Sequence, residues 1–114
     1  MTSQRIDLPQ GALELLALRT LARKPKHGYA IVKAIRERSD EALAVEEGSL
    51  YPALHRMERH GWIASEWGVS DTGRRAKFYS LTDDGRARLS TARRSWNRMT
   101  RAVGLVLGHG TAGA

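Results

Sequence analysis

At 114 residues, with 41% hydrophobic and 27% charged side chains, the chain fits one small globular domain and is too apolar for wholesale disorder. Nineteen Lys and Arg against twelve Asp and Glu leave a net charge of +7, which points to a polyanionic partner and says nothing of fold. Cysteine is absent, so disulfides and cysteine-ligated zinc are excluded and a reducing cytoplasm is compatible.

A membrane partner is not expected. The late apolar run at 102–107 is far short of the roughly 20 residues that span a bilayer. Residues 12–22 are apolar but carry Glu14 and Arg19, with no basic n-region before them, so no signal peptide is expected and the location is read as cytoplasmic. The charge is concentrated. Residues 74–101 hold nine basic residues and two acids, Asp83 and Asp84, which accounts for the whole net charge. A solvated Arg-rich helix face and a phosphate-binding surface both fit that pattern.

In chain order, residues 9–23 read as a first helix, with Pro9 in the first turn, where its missing N–H does no harm. Leu8, Leu15, Leu18 and Ala22 stand at helical spacing, and Leu13, Leu16 and Leu21 widen the stripe enough to meet more than one surface. Residues 24–28 break the pattern. A second helix spans about His27 to Arg38, with Ile31, Ala34 and Ile35 buried. Leu43-Ala44-Val45 reads as a very short strand. A third helix begins near Ser49 as N-cap, with Pro52 in its first turn. Leu50, Leu54 and Met57 face the core; Pro52, His55, Arg56 and Arg59 face away, and Tyr51 lies on the flank. Gly61 ends the helix at C′. Two short runs, 62–67 and 77–81, surround a polar, Gly-containing tip that carries Arg74 and Arg75, which predicts a β-hairpin. Thr82 caps a last helix, with Asp83 and Asp84 favoured by the dipole in its first turn. Leu89, Ala92, Trp96, Met99, Val103 and Val106 then follow alternating spacings of three and four, an a/d seam of under three heptads that calls for a partner chain.

Helix, helix, helix, hairpin, helix is the order of a winged helix-turn-helix. The expected fold is mostly α with a small β-hairpin wing: a DNA-binding domain over 1–82, a C-terminal dimerisation helix over 83–108 and a flexible tail over 109–114. The major groove admits one α-helix. The third helix has the required apolar and polar faces, and the arginines at the hairpin tip suit a narrow, negative minor groove.

The segment Gly48-Ser49-Leu50-Tyr51-Pro52-Ala53-Leu54-His55-Arg56-Met57-Glu58-Arg59-His60-Gly61-Trp62-Ile63 resembles the recognition-helix signature of the PadR family of transcriptional regulators. His27-Gly28-Tyr29-Ala30-Ile31 resembles the start of that family's second helix. Gly73-Arg74-Arg75-Ala76-Lys77-Phe78-Tyr79-Ser80-Leu81-Thr82-Asp83-Asp84-Gly85 resembles its wing and the start of its last helix. Ala76 departs from the pattern, which has a basic or polar residue there. The resemblance covers about residues 9–107, and the single C-terminal helix matches the small PadR subgroup. It implies a homodimer in which the last helix crosses the partner's first helix, repression of nearby genes, and an apolar cleft at the dimer centre able to take flat aromatic compounds.

The DNA-contact candidates are Ser49, Tyr51, His55, Arg56 and Arg59 on the third helix, Arg74, Arg75 and Lys77 on the wing, and Lys26, His27 and Tyr29 at the second-helix start. Arg56 has an alternative as the partner of a neighbouring acid, and Tyr29 as packing. Dimer candidates are Leu15, Leu18, Leu89, Ala92, Trp96, Met99, Val103 and Val106. Trp96 with Met99 is either plain dimer packing or the wall of a site in which two dyad-related rings sandwich a planar aromatic molecule. Trp62 and Trp67 read as structural.

Enzyme readings fail. His55 and His60 point about 140° apart on a helix, wrong for one metal. Residues 68–75 have Arg for the P-loop Lys and join strand to strand. No Ser or Thr has a locally placed His and acid. No cofactor or metal is expected. The reading is a sequence-specific DNA-binding regulator, a repressor on a pseudo-palindromic operator, with double-stranded DNA and a second copy as partners and a planar aromatic effector as a third. The alternatives are a basic architectural or RNA-binding protein without sequence choice, and a protein-interaction module built on the C-terminal helix.

Overall fold

The structure, a computed structural model, describes residues 8–108. The expected tail at 109–114 and the first seven residues lie outside the described residues. Helix α1 (Gln10–Leu21) starts from the carbonyl of Pro9, which accepts the N–H of Ala12 at 2.9 Å and of Leu13 at 3.2 Å. Pro9 is therefore the N-cap, in extended backbone, and not the first helical residue. Strand β1 (Lys26–His27) pairs antiparallel with a later strand and has no counterpart in the sequence reading.

Helix α2 (Gly28–Arg38) is capped by His27, whose Nδ1 accepts from the Ala30 N–H at 3.3 Å. Its buried stripe is Ile31, Val32 and Ile35, while Ala34 is only half-buried. The expected strand at Leu43-Ala44-Val45 does not form. The chain leaves α2 through Asp40 and Glu41, both at positive φ, and Val45 then turns its side chain into the core without joining a sheet.

Helix α3 (Glu47–Arg59) begins two residues before the expected cap. The carbonyl of Glu46 accepts the N–H groups of Ser49 and Leu50, each at 3.0 Å, so Ser49 lies in the first turn and Pro52 in the second. Leu50, Ala53, Leu54 and Met57 are buried. The helix closes as expected at Gly61 (φ 79°). The Trp62 N–H bonds the Met57 carbonyl and the Gly61 N–H the Glu58 carbonyl, each at 3.0 Å, a Schellman ending.

The hairpin is β2 (Ile63–Val69) and β3 (Arg75–Leu81), in register from Ile63 opposite Leu81 to Val69 opposite Arg75. With β1 it makes a three-stranded antiparallel sheet in the order β1-β3-β2. Helix α4 (Asp83–Leu107) starts at Thr82, whose hydroxyl accepts the Gly85 N–H at 3.0 Å, and ends at Gly108 with φ 90°.

One core joins these elements. Leu18, Ile31, Leu50, Leu54, Met57, Ile63 and Tyr79 are almost inaccessible. Each large aliphatic side chain removed from water contributes about 1.5–3 kcal/mol. Two expected dimer contacts fall inside this core. Leu18 is 0% exposed and Leu89 9%, so both face their own domain and leave no surface for a partner. Leu89 is also the last buried residue of α4. The remainder of that helix projects, and Trp96, Met99, Val103 and Val106 are exposed. Twenty-five residues rise about 37 Å, and the molecule is 49 Å long on its longest axis.

Gly85 is the tightest point. A Cβ there would collide with the Trp62 carbonyl oxygen and the Leu81 side chain. Gly→Ala in an open helix normally gains up to about 1 kcal/mol. Gly85→Ala is expected to lose about 1–3 kcal/mol instead, whereas Gly11→Ala, with nothing near its Cβ position, is expected to be neutral or stabilising. Urea unfolding of the two variants checks this contrast.

Candidate nucleic-acid interface

A groove of about 800 Å³ runs between the start of α2, the outer side of α3 and the hairpin. His27, Gly28 and Tyr29 form one wall, Glu47, Tyr51 and His55 the floor, and Trp67 with residues from Ser70 to Tyr79 the other wall. Its shape follows from the pleat. Ile63, Ser65 and Trp67 share a face of β2, and Tyr79, Lys77 and Arg75 share the matching face of β3. That face is core at its base, with Ile63 and Tyr79 buried, and opens to solvent towards the tip.

Seven of the eleven DNA-contact candidates border this groove: His27, Tyr29, Tyr51, His55, Arg74, Arg75 and Lys77. The tip that presents Arg74 is held by the Ser70 N–H on the Arg74 carbonyl at 2.8 Å, with Gly73 at φ 81°. Arg59 stands on an adjoining hollow of α3 with His55 and Glu58. Ser49 is exposed on the same helix.

Two candidates turn elsewhere. Arg56 pairs with Glu14 of α1, Nε to Oε2 3.6 Å, across the α1–α3 contact, so it faces the first helix and not the groove. Lys26 donates from Nζ to the Thr20 carbonyl at 3.1 Å, closing the end of α1. Burial lowers its pKa, helped by the charges of Lys24, Arg23 and Arg38.

Trp67 was expected to be structural and instead lines the groove at 58% exposure. The guanidinium of Arg75 lies 4.6 Å from its ring centroid, a cation–π contact that orients the arginine. The available signal was the period-two alternation, which puts Trp67 on the face of Lys77 and Arg75. Glu47 also belongs to the groove, where it accepts a hydrogen bond from the Tyr51 hydroxyl. The Tyr51 ring lies so close over Gly28 that a Cβ there would sit 2.7 Å from Cζ. Trp62 keeps its structural role, stacked on His60 at 4.4 Å with Arg88 above it at 4.7 Å. Among the described residues no three His, Cys, Asp or Glu are placed to hold a metal, and no helix is long and apolar enough to cross a membrane.

A three-helix core with a hairpin beside its third helix, followed by a long helix, is a winged helix-turn-helix. The family model described as the transcriptional regulator PadR-like family matches residues 17–91. The chain belongs to that family, whose members are transcriptional regulators and not enzymes. It is 35% identical over 97 residues to a transcriptional regulator of Mycobacterium tuberculosis, covering 85% of this chain and 87% of the relative. A PadR family transcription regulator from Clostridium difficile matches with a TM-score of 0.73 at 33% identity, over 84% of this chain and 98% of the other. One from Eggerthella lenta matches with a TM-score of 0.72 at 34% identity, over 87% and 84%.

The phenols of Tyr51 and Tyr79 both have raised pKa values. Burial is the main cause for each, then Glu47 for Tyr51, and Glu58 followed by Tyr51 for Tyr79. The fold thus favours the neutral phenol. That stability is fully present below the unfolded value near 10 and is lost as pH rises through the folded values. Lys26 works the other way, since its lowered pKa favours the neutral amine above about 10. The urea midpoint is expected to fall between pH 9 and 11, and to fall less in Tyr79→Phe. An equal fall in both proteins removes Tyr79 as the source.

Proposed function

We propose that the chain is a homodimeric repressor, working in the cytoplasm, that reads a pseudo-palindromic operator with two copies of α3. The observation that carries this reading is the groove that joins Tyr51 and His55 of α3 to Arg74, Arg75 and Lys77 of the wing. A duplex entering along it meets α3 in the major groove while the wing arginines take phosphates or the minor groove. Two such helices sit about 34 Å apart, one helical turn of DNA. The exposed seam of Trp96, Met99, Val103 and Val106, with half-buried Ala92, supports pairing through α4, and half-buried Leu15 supports contact of the partner with α1. An exposed apolar row of that length on a protruding helix is a partner surface.

Selection of bound genomic DNA at about 150 mM salt, where weak contacts are screened, tests the operator. An enriched palindrome beside its own or a neighbouring gene is expected, and Tyr51→Ala or Arg59→Ala should lose the preference. Salt-sensitive binding with no enriched motif replaces the repressor by an architectural protein. Arg74→Ala with Arg75→Ala is expected to weaken binding across sequences and lower the salt slope by up to about two units per subunit; an unchanged slope removes the wing from the phosphate contacts.

The same reading includes an aromatic effector held by Trp96 and Met99, both exposed on the seam. It releases DNA only if it binds the two dimer arrangements with different affinity. Calorimetric titration with a planar cationic dye is expected to give weaker binding in Trp96→Ala, and equal affinity in the two proteins ends the effector claim.

A further inference from the structure

Six arginines and no acidic residue lie between Gly85 and Gly108. With Asp83 and Asp84 of its first turn, the helix still carries a net charge of +4, whereas the groove has three permanent cations beside Glu47. Most of the net charge is therefore outside the groove. Successive helical residues turn by about 100°, so Arg94, Arg98 and Arg101 fall within about 60° of one another. They stand on the side of α4 opposite Trp96, Met99 and Val103. All three are exposed, and among the described residues none has a carboxylate partner. Arg94 donates only to the Ser90 hydroxyl at 2.8 Å, while Arg98 and Arg101 border an open hollow with Asn97.

Like charges three and four residues apart repel and destabilise a helix. A polyanion on this face relieves that repulsion. Guanidinium at all six positions favours forked hydrogen bonds to phosphate. The row from Arg94 to Arg101 rises about 10 Å, long enough to meet more than one phosphate of a duplex backbone, which carries one charge per roughly 1.7 Å of helix axis. We propose that the outer face of α4 is a second, sequence-independent docking surface for the phosphates of double-stranded DNA. It shares no residue with the groove and leaves the apolar seam free for pairing. The phosphates come either from the flank of the duplex held in the groove or from a second duplex.

The test is the salt dependence of the full-length protein on a random-sequence duplex of about 40 base pairs. Each phosphate contact contributes about 0.9 to the slope. The variant R94Q/R98Q/R101Q is expected to keep its helix content and its oligomeric state, and to lower the slope by about two to three units per subunit. The variant R94K/R98K/R101K restores most of it. If the triple variant loses helix, R98Q/R101Q carries the test with about two units. A fall confined to duplexes longer than the groove's footprint assigns the phosphates to the flank. Loss of energy transfer between two labelled short duplexes assigns them to a second duplex. Unchanged slopes overturn the proposal. So does unchanged DNA binding with lost binding to vesicles containing phosphatidylserine, which makes the face a lipid-surface contact. The comparison uses random sequence throughout, so it is unaffected if no preferred operator exists or if the wing arginines prove silent.

Discussion

Two neighbouring carbonyl oxygens tie together the three parts on which DNA reading depends. The Thr82 hydroxyl donates to the Gly61 carbonyl at 2.6 Å, and the Thr82 N–H donates to the Trp62 carbonyl at 3.1 Å. Gly61 ends α3, Trp62 leads into β2, and Thr82 caps α4, so one residue joins the third helix, the base of the hairpin and the long helix. The same hydroxyl accepts from the Gly85 N–H, and the missing side chain of Gly85 lets α4 start directly against the Trp62 carbonyl. His60, Trp62 and Arg88 then stack in sequence over the joint. The start of α4 is thus bonded directly to the end of α3 and the base of the hairpin.

From that joint the groove acquires its second wall. The hairpin is long relative to its buried base, where Ile63 and Tyr79 are buried and Leu81 packs half-buried against the core. A two-stranded ribbon of this kind is marginal alone. Two further ties hold it. Ser65 donates to Glu58 of α3 at 2.6 Å, and β1 adds a third strand through Lys26 and His27. His27 also caps α2 through Nδ1 and meets Phe78 edge-on at 5.3 Å. The groove is thus bordered by elements whose positions are set independently of any ligand, while its charged ends, Arg74 above all, remain in solvent. Glu47 and the Tyr51 hydroxyl satisfy one another across its floor.

Local chemistry was the most legible part of the sequence. Thr82 as N-cap, the acids after it and Gly61 as helix end each depend on a few adjacent residues. Features set by distant chain were not legible. β1 is two residues long and exists because β3, some fifty residues on, offers an edge to Lys26 and His27. The helical rotation of Arg56 was readable from the sequence, but Glu14, its partner on α1, belongs to another helix, and it draws the guanidinium off the groove. The large apolar ring of Trp67 suits a core, but the period-two alternation of β2 sets it on the open end of the hairpin face, beside Arg75. Ser49 has the chemistry of a cap, yet α3 starts at Glu47 with no side-chain cap at all, because the Glu46 carbonyl already accepts two amide protons.

The long helix brings fold and regulation into one argument. Its first part is held by the core through Leu89 and by the joint at Thr82; among the described residues nothing buries the apolar side of its second part. The apolar side, at 87% exposure for Val106, cannot be left to water at low cost in a domain this small. Its opposite side is a row of guanidinium groups. In the dimer proposed above, a partner on the apolar side would fix where two α3 helices stand, and a polyanion on the other side would act on the same helix. On that proposal, a molecule that binds α4 differently in two dimer arrangements would shift the spacing of the α3 helices through Thr82, whether or not it approaches the groove.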